Sequence, residues 1–162
     1  MLRVWIFGML IQNSQPTAGL VQRTMGLWYR SLAEKLNMSM ITITWKRYEK
    51  EGKTCDRCGS TGKNLQQAIL KLHQCRPDPM IELQEQILNV QQISQSNSIE
   101  INGKPLEQLL NVTIGKSSCD SCSDLTKEKT ECRTLITDSC TYETITTDHI
   151  YTAACKLLRC CD

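Results

Sequence analysis

An α/β fold with a mixed sheet is the architecture this sequence predicts, on three observations. The stretch MITITWKRY sets Ile41, Ile43 and Trp45 against Thr42, Thr44 and Lys46, the two-residue alternation of a strand rich in β-branched side chains. TGKNLQQAILKLH repeats Leu65, Ile69 and Leu72 at helical spacing. Asn102-Gly103, inside SNSIEINGKP, is a hairpin dipeptide because both residues tolerate positive φ.

The remaining elements follow from the same rules. The helix containing Leu65 follows a CxxC pair, Cys55 and Cys58, and is stopped by Pro77 and Pro79. MIELQEQILNV reads as a second strand, with Ile81, Leu83 and Ile87 on one face and Leu88 and Val90 on the other. A helix between two strands is the crossover that a parallel pair requires. Ile99 and Ile101 form a third strand, and a short strand or helix begins after Pro105. VTIGKSSCDSCSDLTKEKTEC reads as irregular and carries a second CxxC, Cys119 and Cys122, in a local context unlike the first. CRTLIT and CTYETI suggest a strand pair around Asp138-Ser139. TTDHIYTAACKLL closes the chain as a helix, with Thr147 as N-cap, Asp148 in the first turn, and Ile150, Ala154 and Leu157 on one face.

At 162 residues the chain suits one domain plus an extension. We expect a domain over residues 40–162 and an extension over residues 1–39, helical or without fixed order. In the extension, Arg3 precedes VWIFGMLI, a run too short for a membrane span but within the range of a signal-peptide core. QNSQPTAGL is an indifferent cleavage site, so export is the lesser reading and a cytoplasmic protein the expected one. A net charge of +2 and a single Phe give nucleic acid neither a basic field nor stacking surfaces, and no membrane partner is expected.

The outlying number is ten cysteines. A dithiol at the start of a helix is chemically activated, because terminal N–H groups and the positive end of the dipole favour a thiolate. Cys55 is then the attacking sulfur and Cys58 the resolving one of a thiol–disulfide exchange. Half a zinc site and an inert staple are the competing readings of the same spacing. Cys119, Cys122 and Cys132 are expected to form a separate thiol cluster for zinc or another thiophilic metal, since joining them to Cys55 closes a much longer loop; a second disulfide or free surface thiols are the competing reading of Cys119 and Cys122. Cys155 or the vicinal Cys160-Cys161 are candidates for a fourth ligand. Cys75 and Cys155 read as small buried hydrophobes, and His73 and His149 as surface or capping residues. No GxGxxG, P-loop, HExxH or GxSxG pattern is present.

Strand, CxxC, helix, strand, hairpin and helix is the element order of the thioredoxin-like fold. The pattern EGKTCDRCGSTG, SNSIEINGKPLEQLL and CDSCSDL resembles an uncharacterised prokaryotic family of thioredoxin-like proteins, catalogued as a domain of unknown function, from about Met40 to Cys161. The resemblance implies a thioredoxin-like domain with a cysteine-rich C-terminal part. In thioredoxin and glutaredoxin a cis-proline precedes the strand facing the CxxC; here Ser96 and Asn97 stand in its place, as candidate substrate-docking residues. The expected function is thiol–disulfide or thiol–metalloid redox chemistry, its partner a protein or small-molecule thiol or disulfide, or a soft metal or metalloid. Non-enzymatic binding of zinc or a thiophilic metal is the first alternative, and a secreted, disulfide-stapled binding protein the second.

Overall fold

The computed structural model describes residues 40–75 and 80–159. The expectations for residues 1–39, Pro77, Pro79 and Cys160-Cys161 lie outside the described residues. Strand β1 (Met40–Tyr48) is followed by helix α1 (Asp56–Cys75), β2 (Met80–Leu88), a 3-10 turn (Val90–Gln95), β3 (Ser98–Ile101) and β4 (Lys104–Pro105). Then come α2 (Leu106–Leu110), β5 (Thr113–Ser118), α3 (Asp120–Thr126), β6 (Glu131–Ile136), β7 (Thr141–Tyr142) and α4 (Thr147–Leu158).

The first sheet is mixed, in the order β2-β1-β3-β4. β1 runs parallel to β2 from Met40↔Met80 to Tyr48↔Leu88, and antiparallel to β3, with Ile43 opposite Ile101. The predicted parallel pair and its helical crossover are therefore present. The Asn102-Gly103 turn joins β3 to β4, both residues at positive φ (52° and 73°), the geometry for which this dipeptide is suited. The Asn102 side chain fastens that turn to β1 by accepting from the Thr42 N–H at 2.8 Å.

Ile41, Ile43 and Trp45 of β1 and Ile99 and Ile101 of β3 turn inward, as their alternation predicts, and meet Leu65, Ala68 and Leu72 of α1. Ile150, Ala153, Ala154 and Leu158 of α4 join the same core, where α4 packs against α1. Each fully buried aliphatic chain contributes about 1.5–3 kcal/mol relative to exposure. Gly62 lets α1 come close, for a Cβ there would sit 2.6 Å from the Trp45 ring.

Four expectations are corrected. Leu83 and Ile87 of β2 are exposed, and Leu88, assigned to the opposite face, is the buried one. The stretch read as irregular forms β5 and α3, and β5, β6 and β7 make a second, antiparallel sheet in that order. Cys75 is exposed, its sulfur 2.8 Å from the Tyr151 hydroxyl. The N-cap of α4 is Thr146, whose hydroxyl accepts from the His149 N–H while His149 Nδ1 accepts from the Thr146 N–H.

A candidate four-thiol metal centre

Both CxxC pairs are built alike. After β1, a tight turn with Glu51 and Gly52 at positive φ is closed by reciprocal Lys50 and Lys53 backbone bonds of 2.9 Å, and the Thr54 hydroxyl donates to the Tyr48 carbonyl. This delivers Cys55 to the start of α1, where its carbonyl accepts from the Gly59 N–H. Cys58 follows one turn later. After β5, Cys119 occupies the N-cap of α3, its carbonyl accepting from the Ser123 N–H at 2.9 Å, and Cys122 stands in the first turn. The different local contexts expected for the two pairs are thus corrected: each pair opens a helix.

The loop after α3 returns tightly. Lys127 takes φ +65°, and the Thr126 and Thr130 hydroxyls lie 2.8 Å apart. The Cys119 N–H donates to the Thr130 carbonyl, which brings Cys132 on β6 beside Cys119 and Cys122. The expected grouping of these three residues is therefore seen in the geometry, but not their separation from the first pair. The sulfurs of Cys55, Cys119, Cys122 and Cys132 all lie within 4.8 Å of one another, and all four residues are buried. The fourth thiol comes from Cys55; Cys155 is buried in α4 and outside this group.

Loop-closure cost does not keep Cys55 apart, because the fold already holds the two halves together. The Asp56 N–H donates to Ser121 Oγ at 3.1 Å, linking the interior of one CxxC to the interior of the other. Arg57 donates to Ser117 Oγ at 2.9 Å, to the Ser118 carbonyl at 2.6 Å and to the Glu143 carboxylate at 2.7 Å. Its guanidinium, planar and with several donors, clamps the end of β5 to the first turn of α1. These contacts were not anticipated from sequence, because a polar pair between two cysteines carries no signal of what it faces.

Hydrogen bonds from Cys122, then Cys132 and Cys58, with the Cys58 N–H as a further donor, hold the Cys55 thiol well below the usual thiol range. Cys132 is pushed up by its bonds to Cys122 and Cys55 and by burial. Cys122 is pulled down by Cys132 but raised on balance by Cys55 and burial. Cys58 is pushed up by its bond to Cys55 and by burial.

Cys58 is fully buried and its sulfur lies 3.3 Å from Ser96 Oγ. Ser96 also accepts from the Tyr48 N–H at 2.8 Å. Ser96 thus sits beside the first pair, where the sequence places it. Asn97, at φ +59° and preceded by a trans peptide, directs its amide to the Glu143 carbonyl at 3.4 Å.

Sulfurs about 2.3 Å from zinc in a tetrahedron lie roughly 3.8 Å apart, and the four sulfurs here, all within 4.8 Å of one another, are close enough to hold an ion. The chain is, on fold and site together, an α/β protein whose mixed sheet and flanking helices gather four buried cysteines with the geometry to hold a metal. It belongs to the family described as "Domain of unknown function (DUF2703)", which matches residues 41–154. An uncharacterized protein of Archaeoglobus fulgidus is 31% identical over 115 residues, covering 67% of this chain and 80% of the relative. No solved structure matches the chain. Among the described residues, no helix is long and apolar enough to cross a membrane.

Proposed function

We propose that this protein binds a thiophilic metal ion of the zinc type through Cys55, Cys119, Cys122 and Cys132, on a thioredoxin-like scaffold. The observation that carries the reading is the mutual proximity of the four sulfurs, within 4.8 Å in every pair. Four thiolates complete a tetrahedron and leave no open position, which favours holding an ion over hydrolytic catalysis on it. Soft sulfur ligands select zinc, copper(I) and thiophilic metalloids over oxygen-loving cations. The scaffold reading rests on the strand order β2-β1-β3-β4 with a CxxC opening the crossover helix. Thiolate ligands need a reducing compartment, in keeping with a cytoplasmic protein.

A second reading is thiol–disulfide exchange by Cys55 and Cys58. It is favoured by the depressed Cys55 thiol at the start of α1 with a second thiol one turn along.

Metal analysis of the reduced, purified protein tests the first reading. The expected result is about one equivalent of zinc per chain, the content of a single four-sulfur site. Cys119→Ser should abolish tight binding, whereas Cys140→Ser, at an exposed thiol outside the cluster, should not. A protein that takes up no thiophilic metal, or binds equally well in both variants, overturns the reading.

A further inference from the structure

We infer that Cys55 is shared between two exclusive states, a metal ligand with Cys119, Cys122 and Cys132 and a disulfide partner of Cys58, so that oxidation by a peroxide expels the metal. The inference rests on the metal-binding reading and adds its control. Cys55 alone belongs to both groups: its sulfur is one of the four, and Cys58 stands three residues on in the same CxxC turn. Residues three apart on a helix have Cβ atoms roughly 5–6 Å apart, which a modest local adjustment converts to disulfide geometry. Cys58 is not needed as a ligand, because the tetrahedron is complete without it. It is a reserve thiol, fully buried and held against Ser96 Oγ at 3.3 Å.

The burial of Cys55, only 2% exposed, selects the oxidant. A protein disulfide cannot reach this sulfur without local opening, whereas hydrogen peroxide is little larger than water. The Cys55 thiolate attacks one peroxide oxygen, the O–O bond breaks, and the departing hydroxide takes a proton and leaves as water. The Cys58 sulfur then attacks the resulting sulfenic sulfur, its proton leaving with the sulfenic hydroxyl as a second water. Two electrons pass from the two sulfurs to the peroxide, and one S–S bond forms. Cys119, Cys122 and Cys132 are left as a three-thiol site that holds zinc less tightly. A dithiol reductant reverses the change.

The full-length zinc-loaded protein and its Cys58→Ser variant are titrated with hydrogen peroxide while a colorimetric chelator reports free zinc. Trypsin cuts after Arg57, so a Cys55–Cys58 disulfide appears by mass as TCDR joined to CGSTGK. In the wild type, that joined peptide should accumulate in step with zinc release, and reduction should restore binding. Cys58→Ser should load zinc normally, form no joined peptide and release zinc more slowly under peroxide, because its Cys55 stops at the sulfenic acid with no disulfide to hold it away from the metal. A disulfide that instead joins Cys119, Cys122 or Cys132, or release from Cys58→Ser as fast as from the wild type, overturns the inference but leaves the metal site standing. Failure of the wild type to load zinc overturns both.

Discussion

The Asp56 N–H donates to Ser121 Oγ at 3.1 Å, so the two CxxC turns are bonded to one another through residues lying between their cysteines. Neither turn's sulfurs are positioned by its own helix alone. The alignment of Cys55 with the second sheet depends on this bond and on Arg57.

Arg57→Ala removes donors to Ser117, Ser118 and Glu143 without touching a sulfur. Loss of such an outer partner typically weakens metal affinity about 10–100-fold, and that is the expected effect here. Arg57→Lys should recover only part of it, because one ammonium cannot reproduce a planar fork. Competition titration against a zinc chelator measures both; unchanged affinity in Arg57→Ala would contradict the clamp.

Ser96→Ala deletes the oxygen that accepts from the buried Tyr48 N–H and contacts Cys58. An unsatisfied buried donor costs about 1–3 kcal/mol, so the denaturant midpoint should fall by the corresponding amount. Zinc stoichiometry should stay at the wild-type value, since Ser96 touches none of the four ligands.

Gly62→Ala places a methyl 2.6 Å from the Trp45 ring, whose burial in the core leaves it little room to yield. Alanine gains about 1 kcal/mol of helix propensity over glycine, but overpacking of this kind costs about 1–3 kcal/mol. Thermal unfolding should therefore show a lower midpoint. A higher one would mean that the ring moves aside freely.

Acidification should weaken the fold through His149. Burial holds its pKa below the ordinary value, against the opposing pull of Asp148. The unfolded chain therefore takes up the proton first, and the stability contributed by neutral His149 is present above about pH 6.5 and lost as pH falls from there toward the folded value. Protonation also removes the Nδ1 acceptor that meets the Thr146 N–H. His149→Gln keeps an acceptor at that position of the capping box and should flatten the stability profile over this window.

The parts of the fold that were legible in sequence are those written locally. The alternation in β1, the helical spacing of Leu65, Ile69 and Leu72, and the Asn102-Gly103 turn each specify their element within a few residues. β5 and α3 were not legible, because TIGKSS has little apolar alternation and DSCSDLT spans only seven residues, too few to reveal a helical stripe. The membership of Cys55 in the cluster was hidden for another reason. Loop-closure cost is counted for a free chain, whereas here a shared core and the Arg57 contacts have already brought the distant segments together before any sulfur is considered.

The distribution of the four thiols along the chain also implies an order of assembly. Cys119, Cys122 and Cys132 lie on neighbouring pieces, the start of α3 and the strand it leads into, so they can capture an ion while the rest of the chain is still unorganised. Cys55 would join later, because the chain between it and Cys119 holds α1, β2, β3, β4, α2 and β5. A bound ion would then act as a nucleus for the later half of the protein, and its final bond to Cys55 as the latch that reports completed folding. Refolding with zinc already present should on this view be faster than refolding followed by zinc addition.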